Sequence, residues 1–259
     1  MNYYYHYKNY YLRIENFETR DENIKVFYIN LDKNKKRNFD FIGSYYASDI
    51  KELELKRFPA IVGTSVDIKQ WLTPEALDEL KETELTKERT HHYQLTYGGV
   101  GCFMSHYTLA KQLLNDSDTE YYIICEDDIG FYKKTIESIN YYLSKAPEDW
   151  DMVHFTTLRK INYTTNGLFC KPNGFWGMEC YIINKKGAQK LIDEVQKEKI
   201  DAQIDAYLSR MIQQDKINIY ITNTKLIEKS PNSNITDIQY KLQRSLSKVN
   251  PYNYKGYIV

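Results

Sequence analysis

The segment Tyr121-Tyr122-Ile123-Ile124-Cys125-Glu126-Asp127-Asp128 constrains this chain more than any other. Its run of Ile and Tyr, bounded by polar residues, predicts a buried strand rather than a helix. That strand ends in three consecutive carboxylates. Like charges held this close make full ionisation costly. A bound cation is the usual compensation, and oxygen ligands of this hardness suit Mg²⁺ or Mn²⁺. In open α/β sheets, ligands bind outside the carboxyl ends of the strands, where these acids would stand. Acid triplets also cap helices. Asp127 or Asp128 fits an N-cap ahead of Ile129-Gly130-Phe131 and a helical Tyr132–Leu143. On spacing alone, metal binding and capping both stay open.

Elsewhere apolar periodicity alternates between the two regular structures. Strands are predicted at Ile24–Leu31, Leu53–Val62, Met152–Phe155, Cys180–Ile183 and Ile217–Ile221. Pro59 makes the second of these an edge or irregular strand. Helices are predicted at Lys33–Tyr46 after an Asp32 cap, and at Pro74–Glu84 with Thr73 as N-cap and proline in the first position. Others follow at Cys102–Leu114, opened by Gly98-Gly99-Val100-Gly101, at Lys185–Glu198 and at Asp201–Gln213. The remainder to Val259 reads as loop and tail. Such alternation predicts an α/β sandwich with a mostly parallel central sheet. The 259 residues show no internal repeat and no linker. One domain over 23–240, with an arm at 1–22 and a tail at 241–259, is the simplest organisation.

Composition narrows the function. The formal net charge is zero and the pI is about 7.0, which argues against a general nucleic-acid binder but leaves a nucleotide as a small substrate. A mean hydropathy of −0.63 and the lack of a long apolar run exclude a transmembrane helix. Met1–His6 lacks the apolar core of a signal peptide, so a cytoplasmic location is expected. The four cysteines, Cys102, Cys125, Cys170 and Cys180, form no C-x-x-C pair and are expected to be small buried hydrophobes. The 25 tyrosines, with many Lys, Asn and Ile, are what an AT-rich genome encodes, although tyrosines also stack on sugars and bases.

Four further constellations carry chemistry, each with a bland counterpart. Asn30-Leu31-Asp32, followed by Lys33, Lys35, Lys36 and Arg37, places cations at a strand end and a helix start, which suits a diphosphate. It fits a solvated helix face equally. Gly98–His106 lets backbone approach a ligand and sets Ser105 and His106 one turn into a helix; a helical histidine is also often simply packed. Gly174–Glu179, Gly-Phe-Trp-Gly-Met-Glu, fits either a sugar-stacking platform or a core turn. Asp201 and Asp205 would share one helix face, where a carboxylate could act as general base or belong to a solvated acidic stripe.

The order of these pieces is more telling than any one of them. Val26-Phe27-Tyr28-Ile29-Asn30-Leu31-Asp32 with Arg37, Arg57-Phe58-Pro59-Ala60-Ile61-Val62-Gly63, Leu95–Cys102 through Ser105-His106, Ile124–Asp128, Tyr181-Ile182-Ile183 with Gly187-Ala188, and Ile204-Asp205 occur in sequence. Together they resemble glycosyltransferase family 25, the lipooligosaccharide and collagen β-galactosyltransferase group, from Val26 to about Ile238. The chain departs from that pattern at Gly99, where the family often has Glu, and before Asp205, where its proline is missing. All five histidines precede residue 155. The late histidine ligand of many enzymes with this fold is therefore lacking, and an oxygen from Ser230–Asp237 or water would take its place.

The resemblance implies a GT-A-type, Rossmann-like fold and inverting transfer of a hexose from a UDP-sugar to a glycan or hydroxylysine-type protein acceptor, with Mn²⁺ or Mg²⁺. It implies Asp128 and Glu126 as metal ligands. Asn30, Leu31, Asp32, Arg37, Ala60, Gly63, Gly101, Ser105, His106 and Asp127 would bind the donor, with Asp127 free for the ribose hydroxyls. Asp205 would be the base, with Glu179 and Asp201 behind it. Two other classes fit the same residues. One is metal-dependent phosphoryl transfer, which would want a second acidic cluster. The other is a catalytically weak or inactive nucleotide-sugar- or glycan-binding protein of the same fold.

Overall fold

Strand β1 (Lys25–Asn30) is buried at every position, as a strand covered on both faces must be. The computed structural model describes residues 24–156, 159–161, 164–165, 167–230 and 240–242; the expected arm at 1–22 lies outside them. After β1 come α1 (Lys35–Tyr46), β2 (Glu54–Pro59), the short α2 (Ile68–Trp71), α3 (Pro74–Thr86) and β3 (Glu88–Arg89). Helix α4 (Tyr97–Asn115) leads into the acidic strand β4 (Tyr121–Glu126), then β5 (Ile129–Phe131), α5 (Thr135–Leu143) and β6 (Met152–Thr156). Short strands β7 (Arg159–Ile161), β8 (Thr164–Thr165), β9 (Phe169–Lys171) and β10 (Gly174–Trp176) precede β11 (Cys180–Asn184). The described chain closes with α6 (Lys185–Glu198), α7 (Ile204–Gln213), β12 (Ile219–Thr222), β13 (Ile227–Lys229) and β14 (Lys241–Leu242).

Eight strands form one sheet in the order β2-β1-β4-β11-β6-β12-β9-β8. Strands β2, β1 and β4 are parallel neighbours, as are β6 and β12. Strand β11 is antiparallel to both β4 and β6, and β9 to β12. The sheet is thus mixed, with most strands running one way, and helices cover both faces. Side chains alternate across it. Phe27, Ile29, Tyr122 and Ile124 face a core shared with α3, α4, α6 and α7. Val26, Tyr28, Ile123 and Cys125 face a core shared with α1 and α5. Glu126 continues the Tyr122–Ile124 face, which turns it toward α4.

Several elements differ from the sequence reading. No helix follows the acid triplet directly: Asp127 and Asp128 make a turn into β5, and α5 begins only at Thr135. Capping is thereby removed as an account of those acids. Asp32 does not cap α1, which starts at Lys35; it accepts a hydrogen bond from Arg57 Nη2 at 2.6 Å. The glycines at 98–101 lie inside α4, whose cap is Thr96, its Oγ1 accepting from Gly99 N–H at 2.9 Å. Thr73 caps α3 as expected. Helix α7 begins at Ile204, so Asp201 stands in the preceding loop and shares no helix face with Asp205. Strands β13 and β14 occupy a region expected to be loop and tail. Their partners, β5 and β3, are distant in sequence and too short to announce themselves.

A partly buried polar knot ties the end of α4 to the sheet. Asp116 accepts from Lys25 Nζ at 2.6 and 2.8 Å, from Tyr122 OH at 2.6 Å and from Asp118 N–H at 3.0 Å. These donors hold its carboxyl down at about 2, against the opposing effect of burial. A carboxyl depressed in the fold adds stability that is complete above its unfolded value near 4 and is lost as pH falls toward 2. Asp116→Asn should therefore cost on the order of 1–2 kcal/mol at neutral pH. In urea denaturation followed against pH, the gap between variant and wild type should close between about pH 4 and 2.

Candidate active site

A cleft of about 800 Å³ opens at the carboxyl ends of β1, β2 and β4. Leu31, Asp32, Arg37, Ala60, Gly63, Ser105, His106, Glu126, Asp127, Asp128 and Asp205 all line it. Asn30 lies just beneath, buried, and Gly101 and Glu179 sit behind the wall. Most residues singled out in the sequence thus converge on one place. Asp201 does not: it is paired with Arg210 and is absent from the cleft wall.

One wall is a polar lattice on β1 and α1. Asn30 Nδ2 donates to Asp127 Oδ2 at 2.6 Å, and Arg37 Nη1 to Asp127 Oδ1 at 3.0 Å. Both oxygens of Asp127 are therefore engaged by the protein, which differs from the expectation of a carboxylate free for ribose. Burial pushes its carboxyl up, and Asn30 and Arg37 pull it back down. Arg57 Nε donates to Asn30 Oδ1 at 3.0 Å and Nη2 to Asn30 O at 3.0 Å. Arg57 thus fixes Asn30, which in turn fixes Asp127.

The floor is formed where residues 60–63 lie on the first turns of α4. Ala60 N–H donates to Asn30 O at 3.0 Å, and Ile61 N–H to Ser105 Oγ at 2.9 Å. Ser105 Oγ in turn donates to Gly101 O at 2.7 Å. The backbones touch because both contacts are glycine. A Cβ on Gly63 would stand 1.7 Å from Tyr97 O, and one on Gly101 2.3 Å from Ile61 O. Gly63, Gly101 and Ser105 thus shape the cleft through packing and backbone bonding.

The carboxylates stand at the centre. Glu126 comes from β4 and Asp128 from the turn after it. Glu179 comes from the residue before β11, whose C=O accepts from Glu126 N–H at 2.9 Å. Asp128 Oδ1 and both oxygens of Glu179 are buried with no hydrogen-bond partner. Burial, then the charge of Glu126, pushes Asp128 up to about 6 and Glu179 up to about 8. Lys229 on β13 brings its Nζ to 3.9 Å from Glu179 Oε1, and Ser230 N–H donates to Asp128 O at 2.8 Å. The late oxygen ligand sought in Ser230–Asp237 is not testable beyond Ser230, because 231–239 lie outside the described residues. Sequence reading passed over Lys229, since nothing local marks β13. Buried carboxylate oxygens without hydrogen bonds are expensive unless positive charge meets them, and Lys229 meets only one of these three. Asp128, Glu126 and Glu179 are the oxygen groups that could hold a hard divalent ion, but they would have to draw together to do so: among the described residues the three ligand atoms already within 4.8 Å of one another belong to Cys102, His106 and Glu126.

The far wall carries Asp205. Its Oδ2 accepts from Gly177 N–H at 3.0 Å and its Oδ1 from Ala206 N–H at 2.8 Å. Burial pushes its carboxyl up, against those two donors. Gly177 has φ +88, and a Cβ there would sit 2.6 Å from Glu179 Oε2; only glycine combines this turn with that contact. Beside it, Trp176 stacks on His92 with ring centroids 5.3 Å apart, and both line the cleft. At Gly99 the space toward the cleft is bounded by Gln203, whose Cγ would lie 3.6 Å from an added Cβ. Neither His92 nor Gln203 carried any mark in the sequence.

The family model for glycosyltransferase family 25 (LPS biosynthesis protein) matches residues 23–208. The chain belongs to glycosyltransferase family 25. The sandwich described above is the GT-A-type, Rossmann-like fold that this membership implies. Among relatives, human procollagen galactosyltransferase 2 is 27% identical over 180 residues, 65% of this chain and 27% of that protein. Zebrafish (Danio rerio) procollagen galactosyltransferase 1 is 25% identical over 209 residues, 77% and 33% of the two chains. This chain thus spans only about a quarter to a third of the length of those relatives. Solved structures to which the chain is similar include two glycosyltransferases. A glycosyltransferase involved in glycosylating the major capsid of PBCV-1 has TM-score 0.35 and 10% identity, over 68% of this chain and 66% of that one. Mouse xyloside xylosyltransferase 1 has TM-score 0.36 and 9% identity, over 77% and 84%. Among the described residues no helix is long and apolar enough to cross a membrane.

In this family-25 site burial, then the charge of Glu126, raises the Glu179 carboxyl to about 8. A carboxyl raised in the fold binds its proton more tightly there than in the unfolded chain. Metal-free stability should therefore fall as pH rises from the unfolded value near 4.5 to about 8. Glu179→Gln removes that loss. In chelator, the variant should be more stable than wild type at pH 7 by a few kcal/mol. Denaturant midpoints should show the gain shrinking to nothing below about pH 4.5.

Proposed function

We propose that this chain is an inverting hexosyltransferase that moves galactose or glucose from a UDP-sugar to a hydroxyl of a glycan or a hydroxylysine-type protein acceptor. The observation that carries the reading is the group of buried carboxylate oxygens of Asp128 and Glu179 at the centre of the cleft that accept no hydrogen bond, only one of which has a cation, Lys229, within 4 Å. Such oxygens call for a divalent cation, Mn²⁺ or Mg²⁺, and a cation there calls for a diphosphate. When bound, that ion would neutralise charge on the diphosphate as it leaves, worth several kcal/mol. Lys229 and Arg37 flank the same position and add positive charge to it. The names of the procollagen galactosyltransferases support galactose as donor sugar and a collagen-like acceptor.

The protein's own residues divide the work. Asn30, Arg37 and Arg57 hold the donor wall rigid through Asp127, and residues 60–63 and Ser105 shape the floor. Trp176, stacked on His92, gives the acceptor sugar an aromatic face. Asp205 takes the proton from the acceptor hydroxyl as its oxygen attacks the anomeric carbon and the bond from that carbon to the diphosphate oxygen breaks. UDP departs with the electron pair. Its two backbone donors orient Asp205, and its burial raises its basicity.

The test is release of UDP from UDP-galactose or UDP-glucose, with Mn²⁺ and a hydroxylysine peptide or glycan acceptor. Asp128→Asn and Asp205→Asn should each lower kcat by about 10²-fold or more. Asp201→Asn, which alters a residue outside the cleft, should retain turnover within a few-fold of wild type. Full turnover in both Asp128→Asn and Asp205→Asn would refute the assignment. UDP binding without UDP release, across a panel of acceptors, would favour a binding protein of the same fold.

A further inference from the structure

Cys102 and His106 are four residues apart on α4, so their side chains share one face, a turn apart. That face meets the end of β4. Cys102 Sγ lies 3.9 Å from Glu126 Oε1, and His106 Nε2 lies 3.7 Å from the same oxygen. One ligand atom from each of the three fits within a 4.8 Å span. His106 is only 1% exposed, and its Nε2 has no hydrogen-bond partner. Its other nitrogen, Nδ1, is held by Tyr181 OH at 2.8 Å. An imidazole with one nitrogen anchored and the other bare, aimed at a carboxylate beyond hydrogen-bond reach, has the form of a metal ligand with its outer support in place.

We propose that Cys102, His106 and Glu126 form a zinc site in the cleft wall, chemically distinct from the hard-cation position at Asp128. Thiolate, imidazole and carboxylate together suit a borderline-soft ion, whereas Mg²⁺ and Mn²⁺ prefer oxygen alone. Tetrahedral zinc, with bonds of about 2.0–2.3 Å, sets its ligands roughly 3.3–3.6 Å apart. The two contacts to Glu126 need only a slight contraction to reach that spacing. All three side chains line the cleft, so a fourth position is left for water or a ligand. Burial holds the Cys102 thiol protonated without metal. Zinc takes the thiolate, and the thiol proton goes to solvent. Because Glu126 also belongs to the proposed donor site, zinc should inhibit sugar transfer by competing for it. That consequence rests on the transferase reading; the site itself does not.

Cobalt(II), added alone to the full chain, reports the site, because a cobalt–thiolate bond gives a near-ultraviolet charge-transfer band. The wild type should show the band and lose it when zinc is added. Cys102→Ser should abolish it and weaken zinc binding by at least ~10-fold in competition with a chromophoric chelator. Tyr181→Phe keeps all three ligands and removes only the support of the imidazole. It should retain the band while zinc affinity falls about 10- to 100-fold. Asp128→Asn should keep the band. Thermal melts of the metal-free variants establish that each is folded. No charge-transfer band in the folded wild type, or equal zinc affinity in folded Cys102→Ser, would overturn the proposal. No nucleotide or sugar is used, so this outcome is independent of transferase activity.

Discussion

The antiparallel pairing of β11 with β4 is the constraint on which the rest of the site depends. Its register sets Cys180 opposite Cys125, with their sulfurs 3.2 Å apart. The next residues outward are then Glu179 and Glu126, joined by a backbone hydrogen bond. Two carboxylates are thereby forced together at the edge of a dry core. A slip of one residue would turn every side chain of β11 to the opposite face, burying Glu179 among the aromatic residues under α1. The fully buried Cys125 and Cys180 pin the register by packing, since any larger side chain at either position would strain the pair.

From that pairing the electrostatics follow. Glu126, Asp128 and Glu179 repel one another, and burial removes the water that would otherwise screen them. The protein places Lys229 nearby but leaves three oxygens without hydrogen bonds. Asp127, in contrast, is satisfied on both oxygens by Asn30 and Arg37. Of these four acids, Asp127 is thus fully hydrogen-bonded within the protein, whereas Asp128 and Glu179 keep oxygens that accept no hydrogen bond. Asp205, across the same cleft, is supported by two backbone donors, while burial and the charge of Glu126 raise its carboxyl.

Much of this was legible in the sequence because it is local. The Ile-Tyr run and its acids, the Thr73 cap with Pro74, and the helical period of 185–198 all follow from short-range rules, and each is found where expected. The differences share a cause. Nothing local to Asp32 shows that Arg57 claims it in place of a helix cap. The helix of Asp205 starts after Gln203, which supplies no capping side chain, so nothing in sequence excludes Asp201 from it. The hydrogen bonds to Asp127 come from Asn30 and Arg37, at least ninety residues away. Lys229, Gln203 and His92 were invisible for the same reason: long-range pairing brings them to the cleft, and their own neighbours in sequence carry no pattern.

The central proposal is that the carboxylates of Glu126, Asp128 and Glu179 hold a cation that binds a donor diphosphate. Calorimetric titration of UDP into the wild-type chain, with Mn²⁺ and again in chelator, tests it most directly. The account predicts binding with the metal present and a loss of at least about tenfold in affinity without it. Equal affinity for UDP under both conditions would contradict it.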